Sequence, residues 1–159
     1  MKNIIKTDFF SESKRWNRRI PTIKKISLKT VKEMIVYFKK NHLFYINLIL
    51  SDKTKIKTLN KKFKNKYNDT DVLTFVSKFS NKELGKKIYC DIFFSIDTID
   101  NFVKNNEVNI YDHFNHLLIH SLLHINGYDH NTMSKFKKMK KQEIKILKKF
   151  GIRDPYINL

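Results

Sequence analysis

Histidines spaced to share one ion stand near the end of the chain, in the run His120-Ser-Leu-Leu-His124-Ile-Asn-Gly127-Tyr-Asp-His130. Residues four apart lie on one face of a helix, so the imidazoles of His120 and His124 can point at a single centre. Gly127 suits the left-handed position that ends a helix and turns the chain back. His130, three residues further, can then return to the same point. Three neutral nitrogens on one ion leave a coordination position open, as in catalytic rather than structural zinc sites. One zinc ion per chain is the expected cofactor.

The helix around these residues sharpens the expectation. Phe114 to Ile125 is apolar nearly all round, as a buried helix is, so His116, His120 and His124 must find partners or cost a few kcal/mol each. A single histidine there is more often a hydrogen-bonded core residue; three together favour a shared metal. By spacing alone His116, His120 and His124 form a competing row, but it would span about 12 Å at the helical rise per residue. That is too long for one ion, and His116 reads instead as a neighbour of the metal site or a substrate contact. The spacing also equals the metzincin protease pattern H-E-x-x-H-x-x-G-x-x-H, with Ser121 where the general-base glutamate would stand. Serine cannot take a proton from water as a carboxylate does, so peptide hydrolysis by that route is disfavoured.

On these residues the sequence resembles the YbeY family of bacterial rRNA-maturation endoribonucleases, whose signature runs H-G-x-L-H-L-x-G-Y-D-H. Here it stands as His120 to His130, with Ser121 for the glycine and Ile125 for the second leucine. Thr70-Asp71-Val72-Leu73-Thr74-Phe75 is similar to the family's T-D/N-V-L-S-F, Asp91-Ile92 to its G-D-I strand, and Asp154-Pro155-Tyr156 to its closing motif. The likeness covers most of the chain and is weakest before about residue 40. It implies zinc on His120, His124 and His130, with His120 catalytic. It further implies a single-strand-specific endoribonuclease that matures the 3′ end of 16S rRNA and acts in ribosome quality control. The family also places an arginine near the catalytic site, and alignment through Thr70 puts Lys64 there. Lysine still offsets phosphate charge, but as a point charge without the bidentate fork. Asp69 replaces the family's usual proline. Expected partners are single-stranded RNA, rRNA and the small ribosomal subunit with its proteins, with no DNA. Two other readings stay open: a ribosome-assembly factor with a structural zinc, and a metal-dependent hydrolase of another bond.

Composition sets outer bounds. A chain of 159 residues with 41% hydrophobic residues holds one domain with a real core, despite 30% charged residues. Its net charge of +18 suits a polyanionic partner. Alanine is absent while lysine, asparagine and isoleucine abound, so part of the excess reflects A·T-rich codon drift. Cys90 is the only cysteine, which excludes an internal disulfide and fits a reducing cytoplasm. No apolar run approaches the roughly 20 residues of a membrane span, and no signal-peptide pattern opens the chain.

The elements that must hold the site read as α+β: a small mixed sheet packed with about five helices, one domain across residues 1–159. Strands are predicted at Asn3 to Phe10, Leu43 to Leu50, Val72 to Val76 and Ile88 to Ser95. Helices are predicted after Pro21 with periodicity from about Ser27, at Lys53 to Phe63, at Asp97 to about Asn105, at the histidine segment, and at Met133 to Phe150. Ser77 to Lys87 reads as a loop. Arg15, Arg18 and Arg19 beside Trp16 suit an RNA contact by phosphate pairing and base stacking, or else a solvated turn with Trp16 capping the core. Asp91, mid-strand, suits either a hydrogen bond to a ligand histidine or a salt bridge, and Asp129 can orient an imidazole. Asp71, in the matched motif, joins them as a candidate near the site. Glu143 sits in the apolar stripe of the last helix; it either pairs with a buried histidine or lysine or reaches the stripe's wet edge, the simpler reading.

Overall fold

Alternation of side chains along strands and a 3.6-residue stripe along helices together decide which faces meet. The computed structural model describes residues 3–81 and 85–157. Four strands, β1 (Ile4–Ser11), β2 (His42–Ser51), β3 (Val72–Asn81) and β4 (Gly85–Ser95), form one sheet in the order β1-β2-β4-β3. β1 and β4 run parallel to β2, while β3 is antiparallel to β4, so the sheet is mixed. The helices are α1 (Arg15–Arg19), α2 (Ile23–Met34), α3 (Lys53–Lys64), α4 (Ile96–Asn106), α5 (Ile110–Ile125) and α6 (Met133–Lys149). This is the expected α+β class, with six α-helices among the described residues.

The core lies on the face formed by the even-numbered residues of β2 and β4. Phe44, Ile46, Leu48, Ile92 and Phe94 are buried there, and Phe114 of α5 packs 4.8 Å from Phe94, ring centroid to centroid. α5 is buried on nearly every side, as its composition requires. Helix starts are capped where strands hand over: Asp52 accepts from the Lys55 N–H, Ser95 from Thr98, Asn109 from Tyr111 and Thr132 from Lys135.

One local expectation is corrected, and at Trp16 an open alternative is decided. Ser77 to Lys87 is not a loop: β3 runs to Asn81 and β4 begins at Gly85, so most of it is a strand hairpin, with residues 82–84 outside the described set. Ser77 to Ser80 are all exposed, so no buried face leaves a period-two trace in the sequence. The segment around Trp16 is a short helix, α1, that plugs the core. Trp16 is fully buried edge-on to Phe94 and Phe114, and its indole N–H donates to the Ser51 carbonyl at 2.9 Å. Its ring cannot stack on a base. Arg15 pairs with Asp97, and Arg19 with Asp100 at 2.7 Å, so both guanidinium groups tie α1 to α4. Arg18 remains exposed.

Candidate metal centre

α5 ends in a reversal that brings its last histidines to the third. The Gly127 N–H bonds to the His124 carbonyl at 3.0 Å and the Tyr128 N–H to that of Leu123 at 3.1 Å, with Gly127 at φ +88°. This doubly bonded ending needs a left-handed residue, which glycine supplies without a steric penalty. The chain then carries His130 back over the helix end. The ring centroids of His120 and His124 lie 4.7 Å apart, with His130 5.5 Å from the first and 5.1 Å from the second. One nitrogen from each ring falls in a group whose members are all within 4.8 Å of one another.

The hydrogen bonds around the rings fix which nitrogens face inward. His124 Nδ1 lies 2.9 Å from the Tyr128 carbonyl oxygen, which can only accept, so that nitrogen carries the proton. His120 Nδ1 lies 2.7 Å from Glu143 Oε2. Burial acts to raise the Glu143 pKa, but hydrogen bonds from His116 and His120 outweigh it and hold the group down at about 2. Glu143 is therefore a carboxylate that accepts from His120. In the neutral form of both rings the two Nε2 atoms keep their lone pairs, and they face each other at 3.1 Å. Such a pair asks for a cation. Its separation is close to the roughly 3.3 Å edge of a tetrahedron built on metal–nitrogen bonds of 2.0–2.1 Å. The three histidines thus fit a metal ion.

Glu143 does not reach the wet edge of its helix. It is fully buried, accepts from His116 Nε2 at 2.6 Å, and also accepts from the Tyr156 hydroxyl at 2.7 Å. Burial and the Glu143 charge push the Tyr156 phenol upward, so it stays a donor. His116 is bound to this carboxylate and stands beside His120, outside the three-nitrogen group.

The carboxylates expected near the imidazoles are placed differently. Asp91 lies on the odd-numbered face of β4, away from α5, and accepts from the Asn47 side chain at 2.8 Å. Asp129 accepts from Lys135 Nζ at 2.9 Å and from the Asn131 N–H, which cap the loop before α6. Asp71 lines the cleft but bonds His113 Nε2 at 2.8 Å, not a member of the group. Ser121 is buried and donates back to the Leu117 carbonyl at 3.0 Å, pointing away from the centre. No base can act from that position.

An open cleft of about 1010 Å³ surrounds the centre, bounded by Lys64, Thr74, His116, His120, His124 and His130. The Lys64 pKa is lowered by burial and by Lys66. Burial first, then the charges of His120, His130 and Lys64, push His124 down to about 4; burial and His120 lower His130 as well. Both rings are therefore neutral, ligand-ready bases near pH 7.

With this geometry in place, comparison with known proteins is direct. The family model described as Endoribonuclease YbeY matches residues 10–151. The chain belongs to the YbeY family. An Endoribonuclease YbeY from Wigglesworthia glossinidia brevipalpis is 35% identical over 144 residues, covering 87% of this chain and 90% of that protein. Another from Bartonella henselae is 29% identical over 164 residues, covering 98% and 99%. A solution structure from Thermotoga maritima shares the fold with a TM-score of 0.52 at 23% identity, covering 91% of each chain. The YbeY signature is therefore carried by α5 and its reversal. Among the described residues no helix is long and apolar enough to cross a membrane.

The electrostatics predict acid sensitivity in the metal-free protein. His124 has its folded pKa below its ordinary 6.5, so between about pH 6.5 and 4 the unfolded chain binds the proton that the folded one refuses. Glu143 acts the same way between 4.5 and about 2. Stability should fall continuously as pH drops from 6.5, by a few kcal/mol in all. Urea unfolding across that range checks it, and a flat profile contradicts it.

Proposed function

We propose that this chain is a single-strand-specific endoribonuclease of ribosome biogenesis, which matures the 3′ end of 16S rRNA in the cytoplasm and acts in ribosome quality control. Its domain spans residues 1–159, and its RNA is presented on the small ribosomal subunit. The observation that carries the reading is the close approach of the Nε2 atoms of His120 and His124, with His130 beside them, in an open cleft that also holds Lys64. Three imidazoles suit zinc among the available divalent ions. When bound, the ion supplies positive charge against a phosphate and acidity to a water molecule.

The chain's own residues do the rest. His120 and His124 present lone pairs because Glu143 and the Tyr128 carbonyl hold their protons on the far side. Lys64, at the cleft wall, offsets charge that builds on the phosphate. Its charge already reaches His124 and His130. Asp71 and His113, bonded to each other at 2.8 Å, brace β3 against α5 beside the cleft.

The test is cleavage of a purified RNA spanning the mature 3′ end of small-subunit rRNA, in single-stranded form and annealed to its complement. Cleavage of the single strand alone, lost on chelation and restored by zinc, is the expected result, with Lys64→Ala slower by about 10- to 100-fold. Failure to cut with zinc bound would favour the assembly-factor reading.

A further inference from the structure

Rings of this size normally go inside, yet Phe63 and Phe79 are each 59% exposed and Tyr67 is 71% exposed. Each adjoins in sequence a residue that lines the cleft: Phe63 precedes Lys64, Tyr67 follows Lys66, and Phe79 follows Lys78. Lys64 bounds the cleft, and its Nζ stands 5.9 Å from the centroid of Phe75, which faces the opposite side of the sheet. β3 is the edge strand between the two sides: Thr74, Val76 and Lys78 line the cleft, whereas Phe75 and Phe79 point to the other face, which α3 covers only in part.

The rings continue across that face. Phe63 meets Phe75 edge-on at 5.5 Å, Phe79 meets Tyr89 at 5.6 Å, and Tyr89 stacks flat on Tyr45 at 4.7 Å. Ammonium groups stand over them: Lys61 over Tyr67 at 5.8 Å, Lys62 over Phe63 at 5.1 Å, and Lys6 over Tyr45 at 5.7 Å. The nearby acids are largely engaged. Asp69 pairs with Lys57, and Asp91 is half-buried against Asn47; Asp8 is exposed on β1, at the far side of the sheet. An aromatic surface interleaved with cations matches one polymer, a single nucleic-acid strand, whose bases stack and whose phosphates are anionic.

We propose that this strip, from Phe63 and Tyr67 past the edge of β3 to Phe79 and Tyr89, holds the single-stranded RNA that flanks the segment in the metal-centre cleft. The strand leaves the cleft over the free edge of β3 and lays successive bases on the rings, without sequence preference. The proposal rests on the endoribonuclease reading and extends it to substrate length.

The test uses the full chain with Phe63→Ala, Tyr67→Ala and Phe79→Ala combined, and Val36→Ala, another exposed apolar position, as control. Affinity and cleavage are measured for fluorescent single-stranded RNAs of about five nucleotides, which occupy only the cleft, and of about twenty. The triple variant should bind the long RNA at least about tenfold more weakly, with KM raised and kcat unchanged, and should handle the short RNA like wild type. Its far-ultraviolet circular dichroism and melting temperature should match the control. Equal affinity for the long RNA in wild type and triple variant would overturn the strip and leave this face to a protein partner. If the wild-type chain neither binds nor cuts either RNA, the endoribonuclease reading falls, and this extension with it.

Discussion

Replacing His120 with alanine lowers RNA cleavage at least about a thousandfold and empties the metal centre, because the ion's several kcal/mol of charge stabilisation go with it. One of the two facing Nε2 lone pairs disappears, and two imidazoles remain where three were needed. His124→Ala should do the same to metal and cleavage. The two variants part company in stability. His120→Ala takes from buried, charged Glu143 one of its three donors, whereas His124→Ala takes a neutral donor from the backbone carbonyl of Tyr128. An unpaired charged group costs more than an unpaired carbonyl. His120→Ala should therefore melt several degrees below His124→Ala, at about 2–4 °C per kcal/mol for a chain of this size. Elemental analysis, RNA cleavage and thermal melts on both variants check this. Retention of stoichiometric metal and full cleavage by either would remove the centre from the mechanism.

The histidine cluster was readable because its order is local. Four-residue spacing, a glycine at the reversal and a third histidine three residues on all lie within His120 to His130. The sheet strands were readable for the same reason wherever one face is buried, as in β2 and β4. The anchors of the cluster were not. Glu143 lies 23 residues from His120 and 27 from His116, so an acid within an apolar stripe suggested a buried histidine or lysine without saying which. Asp129 neighbours His130 in sequence, and Lys135 claims it in space. Asp91 follows from alternation once the register is known: Ile92 and Phe94 point to the core, so Asp91 points away. Trp16 beside arginines suits a nucleic-acid contact and a core cap equally in sequence, and its burial decides for the core. Proximity in sequence proved a good guide to the members of the three-nitrogen group and a poor one to the residues that hold them in place.

Glu143 is where that difference has the largest consequence. One carboxylate accepts from His116, His120 and Tyr156, and all three donors approach a group with no contact with solvent. Alanine there strands three donors around a cavity, and a loss of about 3–5 kcal/mol follows, enough to lower the melting temperature by roughly 10 °C. Glutamine is the more informative change because it keeps the volume. Its amide offers one oxygen and one NH2 where the carboxylate offers two oxygens. If the oxygen faces His120, His116 must switch tautomer to accept from the NH2. If the NH2 faces His120, Nδ1 must become the acceptor, the proton moves to Nε2, and the ligand lone pair is lost. The first arrangement keeps a ligand of reduced basicity, and the second removes it. Glu143→Gln should thus bind zinc about 10- to 100-fold more weakly and recover cleavage when zinc is raised in proportion. Competition with a chromophoric chelator measures the affinity. An unchanged Kd, with only the melting temperature lowered, would reduce Glu143 to a packing residue, because its hydrogen bond with His120 Nδ1 is the contact by which it would keep a proton off the Nε2 that faces His124.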